Sequence, residues 1–129
     1  RGREMMKLLI SSVLCFALSA QAEFLGVKYQ STHYSVKQKS NKLTYQKEET
    51  TRAILIKPCN RKIFKSFWKM VDKQLKKKDR TDADSADYIR LFYKQKIYKI
   101  DPKSRDGQFL LGVPSSVENL FLEDKVKCN

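Results

Sequence analysis

The fold is decided around residues 60–76, NRKIFKSFWKMVDKQLK, which hold the clearest periodic signal in the chain. Apolar residues recur there at spacings of three and four, the pattern of a helix that buries one side. Asn60 is a favoured N-cap residue, so we expect a helix that begins near Asn60 and ends around residues 76–78. The apolar side consists of Ile63, Phe64, Phe67, Trp68, Val71 and Leu75.

The chain before this helix reads as a series of strands. Short runs that contain Val and aromatic residues are separated by polar residues, which is typical of strands and turns. The polar residues 39–42 suit a turn, and the apolar run Ile54–Ile56 before Pro58 predicts a buried strand. The extended segments are residues 24–29, 33–37, 43–45 and 50–56.

Residues 88–100, after the helix, fit either a helix or a strand. Their apolar residues share one side in both geometries, and periodicity does not separate the two for so short a run. We favour a helix from Ser85 to about Tyr93, followed by a strand through residues 97–100.

Three more elements are predicted near the C-terminus. Residues 102–107 read as a loop and residues 108–113 as a returning strand. Ser115 and Glu118 form a capping box that predicts a short helix. The expected fold class is therefore α+β, a small antiparallel sheet packed against two or three helices.

An export signal is predicted in residues 1–22. Lys7 is followed by an apolar run, Leu8–Ala20, and then by the small-x-small ending Ala20-Gln21-Ala22. Such a run is shorter than the ~20 residues that cross a bilayer, which favours a cleaved signal peptide over a membrane anchor. We therefore expect a single small basic domain at residues 23–129, located in the periplasm or secreted, with no transmembrane segment in the mature chain.

Cysteine usage agrees with export. Cys15 would leave with the signal peptide, so the mature chain would keep Cys59 and Cys128, and an even pair in an exported protein predicts a disulfide. The loop-entropy model gives a bridge of this span a value of about 4 kcal/mol. Two free thiols are the alternative. No metal site or cofactor is expected, because His33 is the only histidine and has no clustered ligands.

The charge of the chain favours anionic partners. Of 27 Lys and Arg residues, three lie in residues 1–22, and of 14 Asp and Glu residues one does, which leaves 24, 13 and a net charge of +11 for the mature domain. Such an excess promotes association with acidic proteins, anionic lipids or glycans, and nucleic acids. Nucleic acid is possible but is not favoured, because lysine dominates and no aromatic and arginine motif for single strands is present.

The cationic side of the predicted helix is the first candidate site. Six residues would contact an anion or an acidic partner there: Arg61, Lys62, Lys65, Lys69, Lys73 and Lys76. The alternative is an ordinary surface helix whose lysines face water while its aromatic residues form core.

Two other candidates are weaker. Asp82, Asp84 and Asp87 resemble calcium ligands, but the central glycine and the glutamate of an EF-hand are missing, so we expect them to cap a helix. His33, together with residues 48–49 and Arg52, suggests the acid–base set of a small basic nuclease, although nothing in the spacing brings these residues together.

The favoured function is that of an exported, non-enzymatic binding protein that holds an acidic protein partner. In size and disulfide use the chain is similar to small exported inhibitors and immunity proteins of Gram-negative bacteria, an analogy that assigns no residue. The alternatives are an envelope protein that adsorbs to anionic lipid or polysaccharide through the basic helix, and a small basic secreted nuclease.

Overall fold

The computed structural model describes residues 23–75 and 86–129, which form an α+β fold with a six-stranded antiparallel sheet and two helices. The predicted signal peptide, Lys76 and most of the acidic connector lie outside the described residues. The elements are β1 (Glu23–Tyr29), β2 (Thr32–Lys39), β3 (Lys42–Lys47), β4 (Thr50–Leu55), α1 (Arg61–Leu75), β5 (Ile89–Tyr93), β6 (Lys96–Ile100) and α2 (Arg105–Lys127).

The first strand is central in the sheet. Strands β1 to β4 form a meander, and the β5–β6 hairpin pairs with the free side of β1, which gives the order β4-β3-β2-β1-β5-β6. Tight two-residue turns join neighbouring strands, and each contains a residue with positive φ, such as Ser40 at 57°. The four strands predicted before the helix and the turn at residues 39–42 are confirmed.

Both helices cover the same face of the sheet. Side chains alternate along each strand, so that Leu25, Val36 and Leu91 are fully buried while their neighbours point to the other face. They pack in one core with Phe64, Phe67, Trp68, Val71 and Leu75 of α1 and with Leu110, Val113, Val117, Leu120 and Phe121 of α2. The apolar side of the predicted helix is therefore core.

Asn60 precedes α1 as predicted, but its side chain faces the preceding loop rather than capping the helix. The fully buried amide accepts a hydrogen bond from the Lys57 backbone N–H at 2.7 Å. It donates to the carbonyl oxygen of Leu55 at 3.1 Å and to the carboxylate of Asp124 in α2 at 2.6 Å. Asn60 thus links the end of β4, the start of α1 and the end of α2.

The disulfide between Cys59 and Cys128 is confirmed. The two sulfur atoms lie at bonding distance, and the Cα atoms are 5.4 Å apart. The bond joins the residue before Asn60 to the C-terminal end of α2, so covalent and hydrogen-bonded links lie side by side.

The prediction of a helix up to Tyr93 is wrong for the described residues, because Ile89–Tyr93 forms strand β5. Ile89, Leu91 and Tyr93 are buried, whereas Arg90 and Phe92 are exposed, the alternation of a strand with one covered face. The strand predicted at residues 97–100 is confirmed as β6.

The predicted loop, returning strand and short helix over residues 102–118 are wrong, since α2 runs without interruption from Arg105. Its N-cap is Ser104, whose hydroxyl accepts a hydrogen bond from the Gly107 N–H at 3.0 Å. Ser115 and Glu118, the predicted capping box, lie in the middle of this helix.

A proline in the middle of α2 is accommodated by a tertiary contact. Pro114 has no N–H to donate to the carbonyl of Leu110, one turn earlier. The buried hydroxyl of Tyr34 in β2 donates to that carbonyl at 2.6 Å. Burial raises the pKa of Tyr34, so its hydroxyl stays protonated and available as a donor.

Candidate functional site

The exposed side of α1 carries five of the six predicted contact residues. Arg61, Lys62, Lys65, Lys69 and Lys73 are all exposed, whereas Lys76 lies outside the described residues. Arg61, Lys65, Lys69 and Lys73 are four residues apart and follow one line along the helix, about 18 Å long.

A groove of about 700 Å³ lies between α1 and the turn that joins β2 to β3; we call it the α1 groove. Arg61, Lys62, Lys65 and Lys69 line it from the helix. Its other lining residues are apolar or neutral polar side chains with two acids: Ile56, Phe64 and Trp68; Gln38, Ser40, Asn41 and Ser66; and Glu23 and Asp72.

The cations of α1 are placed unfavourably for helix stability. Like charges four residues apart repel, at about 0.2–0.5 kcal/mol per pair. Arg61 and Lys62 also occupy the first turn, which has no acidic residue, although the helix dipole favours anions there. Helix α2 has the favourable arrangement, with Asp106 in its first turn and Lys125 and Lys127 in its last. The charges of α1 are therefore better suited to an external anion than to the helix itself.

The acidic end of the groove is engaged within the protein. Asp72 accepts a hydrogen bond from the Tyr93 hydroxyl and lies 3.6 Å from the ammonium of Lys94. Partial burial raises the pKa of Glu23, and the nearby charge of Asp72 raises it further, whereas Lys94 lowers it. The four cations at the other end have no ion pair with a carboxylate of the described residues.

The floor of the groove is rigid. Phe64 and Trp68 are buried in the core, and the indole N–H of Trp68 donates to the side-chain oxygen of Gln38 at 2.8 Å. Phe67 packs edge-on against Trp68, with ring centroids 5.1 Å apart. A partner would therefore meet a preformed apolar base beneath mobile lysine side chains, an arrangement suited to binding.

The nuclease set is not assembled. His33 lies on the exposed face of β2, where its carbonyl accepts a hydrogen bond from the Glu48 N–H at 3.0 Å. Arg52 lies on the covered face, 2.6 Å from the Glu118 carboxylate and 4.1 Å from the ring centre of Phe121. The sheet thus separates His33 from Arg52.

The acidic segment contributes one described aspartate, Asp87, since Asp82 and Asp84 lie outside the described residues. Asp87 accepts a hydrogen bond from the Tyr29 hydroxyl at 3.2 Å and is followed by strand β5. Its predicted role as a helix cap is therefore wrong. Within residues 23–75 and 86–129, no group of three or more His, Cys, Asp or Glu side chains is placed to hold a metal ion.

Sequence reasoning missed the groove residues that do not belong to α1. Gln38, Ser40, Asn41 and Ile56 are ordinary strand and turn residues in the sequence. They reach the helix only because β2 and β3 turn back beneath it. No local signal marks them.

Comparison with known proteins returned no match. No family model, no curated protein and no solved structure is similar to this chain. Neither described helix combines the length and the apolar character needed to cross a bilayer.

Proposed function

We propose that this chain is an exported, non-enzymatic binding protein that holds an acidic partner protein in the α1 groove. The observation that carries the proposal is the convergence of four cationic side chains at one cavity with a rigid apolar floor. Its place of action is the periplasm or the exterior of the cell.

The partner is expected to present carboxylates next to an apolar side chain. The apolar group would cover Ile56 and the edge of Trp68, while the carboxylates would meet Arg61, Lys62 and Lys65. Charges at the rim of an interface mainly increase the rate of association and select the partner, and the buried apolar contact slows dissociation.

Two features support export. The disulfide Cys59–Cys128 is of a kind that persists in oxidising compartments. Strand β1 begins at Glu23, so cleavage after Ala22 would leave every residue of the sheet in place.

The test uses the full chain expressed with residues 1–22 and recovered from its own compartment. Mass spectrometry of the purified protein checks the N-terminus, and we expect it at Glu23. The groove variant K62Q/K65Q/K69Q is compared with a matched control, K103Q/K125Q/K127Q, which removes the same charge from exposed positions near both ends of α2.

Proteins retained from periplasmic extract are identified, purified and titrated against each variant. We expect an acidic partner whose affinity falls at least about tenfold for the groove variant and less than about twofold for the control. Equal losses for the two variants, or the absence of any partner at both low and physiological salt, would refute the proposal.

Adsorption to an envelope polymer through α1 has less support. Phe64, Phe67 and Trp68 are buried in the core, so the helix offers charges but no aromatic side chain for insertion into a membrane.

A further inference from the structure

The face of the sheet turned away from the helices is strongly cationic; we call it the open face. Strand register assigns its outward positions, and no Asp or Glu occupies any of them within the six described strands. The basic residues at these positions are Lys28, His33, Lys37, Lys39, Lys42, Arg90 and Lys99.

Four of these residues form one row across neighbouring strands. Lys28 of β1 lies opposite His33 of β2 on one side and opposite Arg90 of β5 on the other, and Arg90 lies opposite Lys99 of β6. Strands are about 4.8 Å apart, so the row is about 14 Å long. We call it the cationic row.

The cationic row opposes stability. Like charges directly across a strand pair repel, and no carboxylate of the described residues forms an ion pair with Lys28, Arg90 or Lys99. An anionic ligand would relieve this repulsion. The row is thus arranged in advance for anions spaced along a line.

A small cavity lies beside the row. It measures about 230 Å³ and is lined by Lys28, Gln30, Ala86, Tyr88 and Arg90. The Lys99 ammonium lies 4.9 Å from the centre of the Tyr88 ring, which brings a third cation to its edge. Two flexible cations, an amide and a phenol are groups that bind phosphate oxygens.

An apolar row runs parallel to the cationic one, two residues further along the strands. It consists of Gly26, Phe92 and Ile97, which are paired in register across β1, β5 and β6. Phe92 is 38% exposed and Ile97 is 65% exposed. The Phe24 ring lies over Gly26 and packs edge-on against Phe92, with centroids 5.4 Å apart.

We propose that the open face over β1, β5 and β6 docks on an anionic lipid surface. The cationic row and its cavity bind phosphate headgroups, and Phe92 and Ile97 insert at the boundary between headgroups and acyl chains. Charge attraction combined with a small inserted apolar area is the way peripheral proteins bind anionic membranes.

The exposed apolar residues favour lipid over single-stranded nucleic acid. Bases bind to sheets by stacking on exposed aromatic faces. Here the most exposed apolar side chain of the patch is Ile97, which is aliphatic, and Phe24 already occupies one side of Phe92. An aliphatic side chain inserts into lipid but does not stack.

This surface lies on the opposite side of the sheet from the α1 groove. Lipid docking and partner binding therefore stand or fall separately, and a lipid-bound molecule would still present its groove.

The test measures binding of the full chain and its variants to vesicles of phosphatidylglycerol and phosphatidylcholine, with phosphatidylcholine alone as the neutral surface. All variants carry the same N-terminus, so any contribution of residues 1–22 cancels. The open-face variant K28Q/R90Q/K99Q is compared with the helix variant K65Q/K69Q/K73Q, which removes the same charge from α1. Circular dichroism checks that each variant is folded.

We expect the open-face variant to lose affinity for anionic vesicles roughly a hundredfold, since each surface cation contributes about 1 kcal/mol, and the helix variant to lose less than about threefold. The variant F92S/I97S is expected to bind about tenfold more weakly and to depend more steeply on salt, because only the charges remain. Wild-type binding to neutral vesicles should be negligible.

Three results would overturn the proposal: equal losses for the open-face and helix variants, unchanged binding of F92S/I97S, or wild-type protein that binds polyuridylate or an acidic protein through these cations but not anionic vesicles.

Discussion

The two faces of the sheet follow different physical rules. On the covered face Leu25, Val36 and Leu91 are excluded from water by two helices, and the polar exceptions are mostly hydrogen-bonded. On the open face the register places cation opposite cation, from Lys28 to Lys99. The difference teaches that folding constrains one face closely, while the other tolerates unfavourable pairs because they remain in water.

The largest effect is expected at the disulfide that anchors the helical layer. The variant C59S/C128S should lose about 4 kcal/mol of stability, since the bond closes a long loop of the unfolded chain. Urea unfolding measures the loss, and reduction of the wild type is the control. Vesicle binding by the open face should be unchanged under native conditions, and a loss below about 1 kcal/mol would contradict the assignment.

Two glycines of α2 provide a matched pair for the covered layer. A Cβ at Gly107 would lie 2.2 Å from the carbonyl oxygen of Asp101, so Gly107→Ala should destabilise the protein by about 3 kcal/mol. A Cβ at Gly112 meets no atom within 4 Å, so Gly112→Ala should stabilise it by up to about 1 kcal/mol through helix propensity. Thermal unfolding measures both, and effects of the same sign would contradict this account of α2.

Two tyrosines of the covered face differ in their hydroxyl groups. Tyr34→Phe should cost about 1–3 kcal/mol because it leaves the Leu110 carbonyl unsatisfied. Tyr45→Phe should change stability by less than about 0.5 kcal/mol, since the Tyr45 hydroxyl is buried without a hydrogen-bond partner in the described structure. Urea unfolding compares them.

A double-mutant cycle sharpens the comparison. Pro114→Ala restores an N–H that can donate to Leu110, so the cost of Tyr34→Phe should fall by about 1 kcal/mol in that background. Additive costs would show that the proline and the tyrosine are not coupled.

The smallest effect is expected on the open face. Arg90→Gln removes two like-charge pairs, with Lys28 and with Lys99, and should stabilise the protein by about 0.2–1 kcal/mol. The gain should shrink at high salt, because exposed charges are screened. Lys103→Gln is the matched control and should have no effect; a loss of stability in Arg90→Gln would mean that the cationic row is paired in solution.

Prediction from sequence succeeded where local pattern and tertiary structure agree. The meander strands alternate apolar and polar residues, and α1 has a stripe of apolar residues at helical spacing, so each element shows its buried side by itself. It failed at β5, where five residues fit both periodicities and pairing with β1 decides the outcome. In α2, Pro114 and two glycines suggested breaks that the Tyr34 contact and close packing at Gly107 overcome.

The candidate sites divide in the same way. The cations of the α1 groove were identified because helical spacing places them together, whereas Ser40, Asn41 and Ile56 were not. The cationic row escaped sequence reasoning entirely, because Lys28, Arg90 and Lys99 are distant in the chain and only strand register aligns them.

By itself the amino-acid sequence determined the α+β class, the first four strands, helix α1 and the pairing of Cys59 with Cys128, because hydrophobic periodicity and cysteine number are local or countable properties. Only the tertiary structure decided that β5 is a strand, that α2 passes through Pro114, and that cations meet at one groove and along one row. These outcomes depend on partners far away in the chain, and their free energies arise only when the sheet has formed.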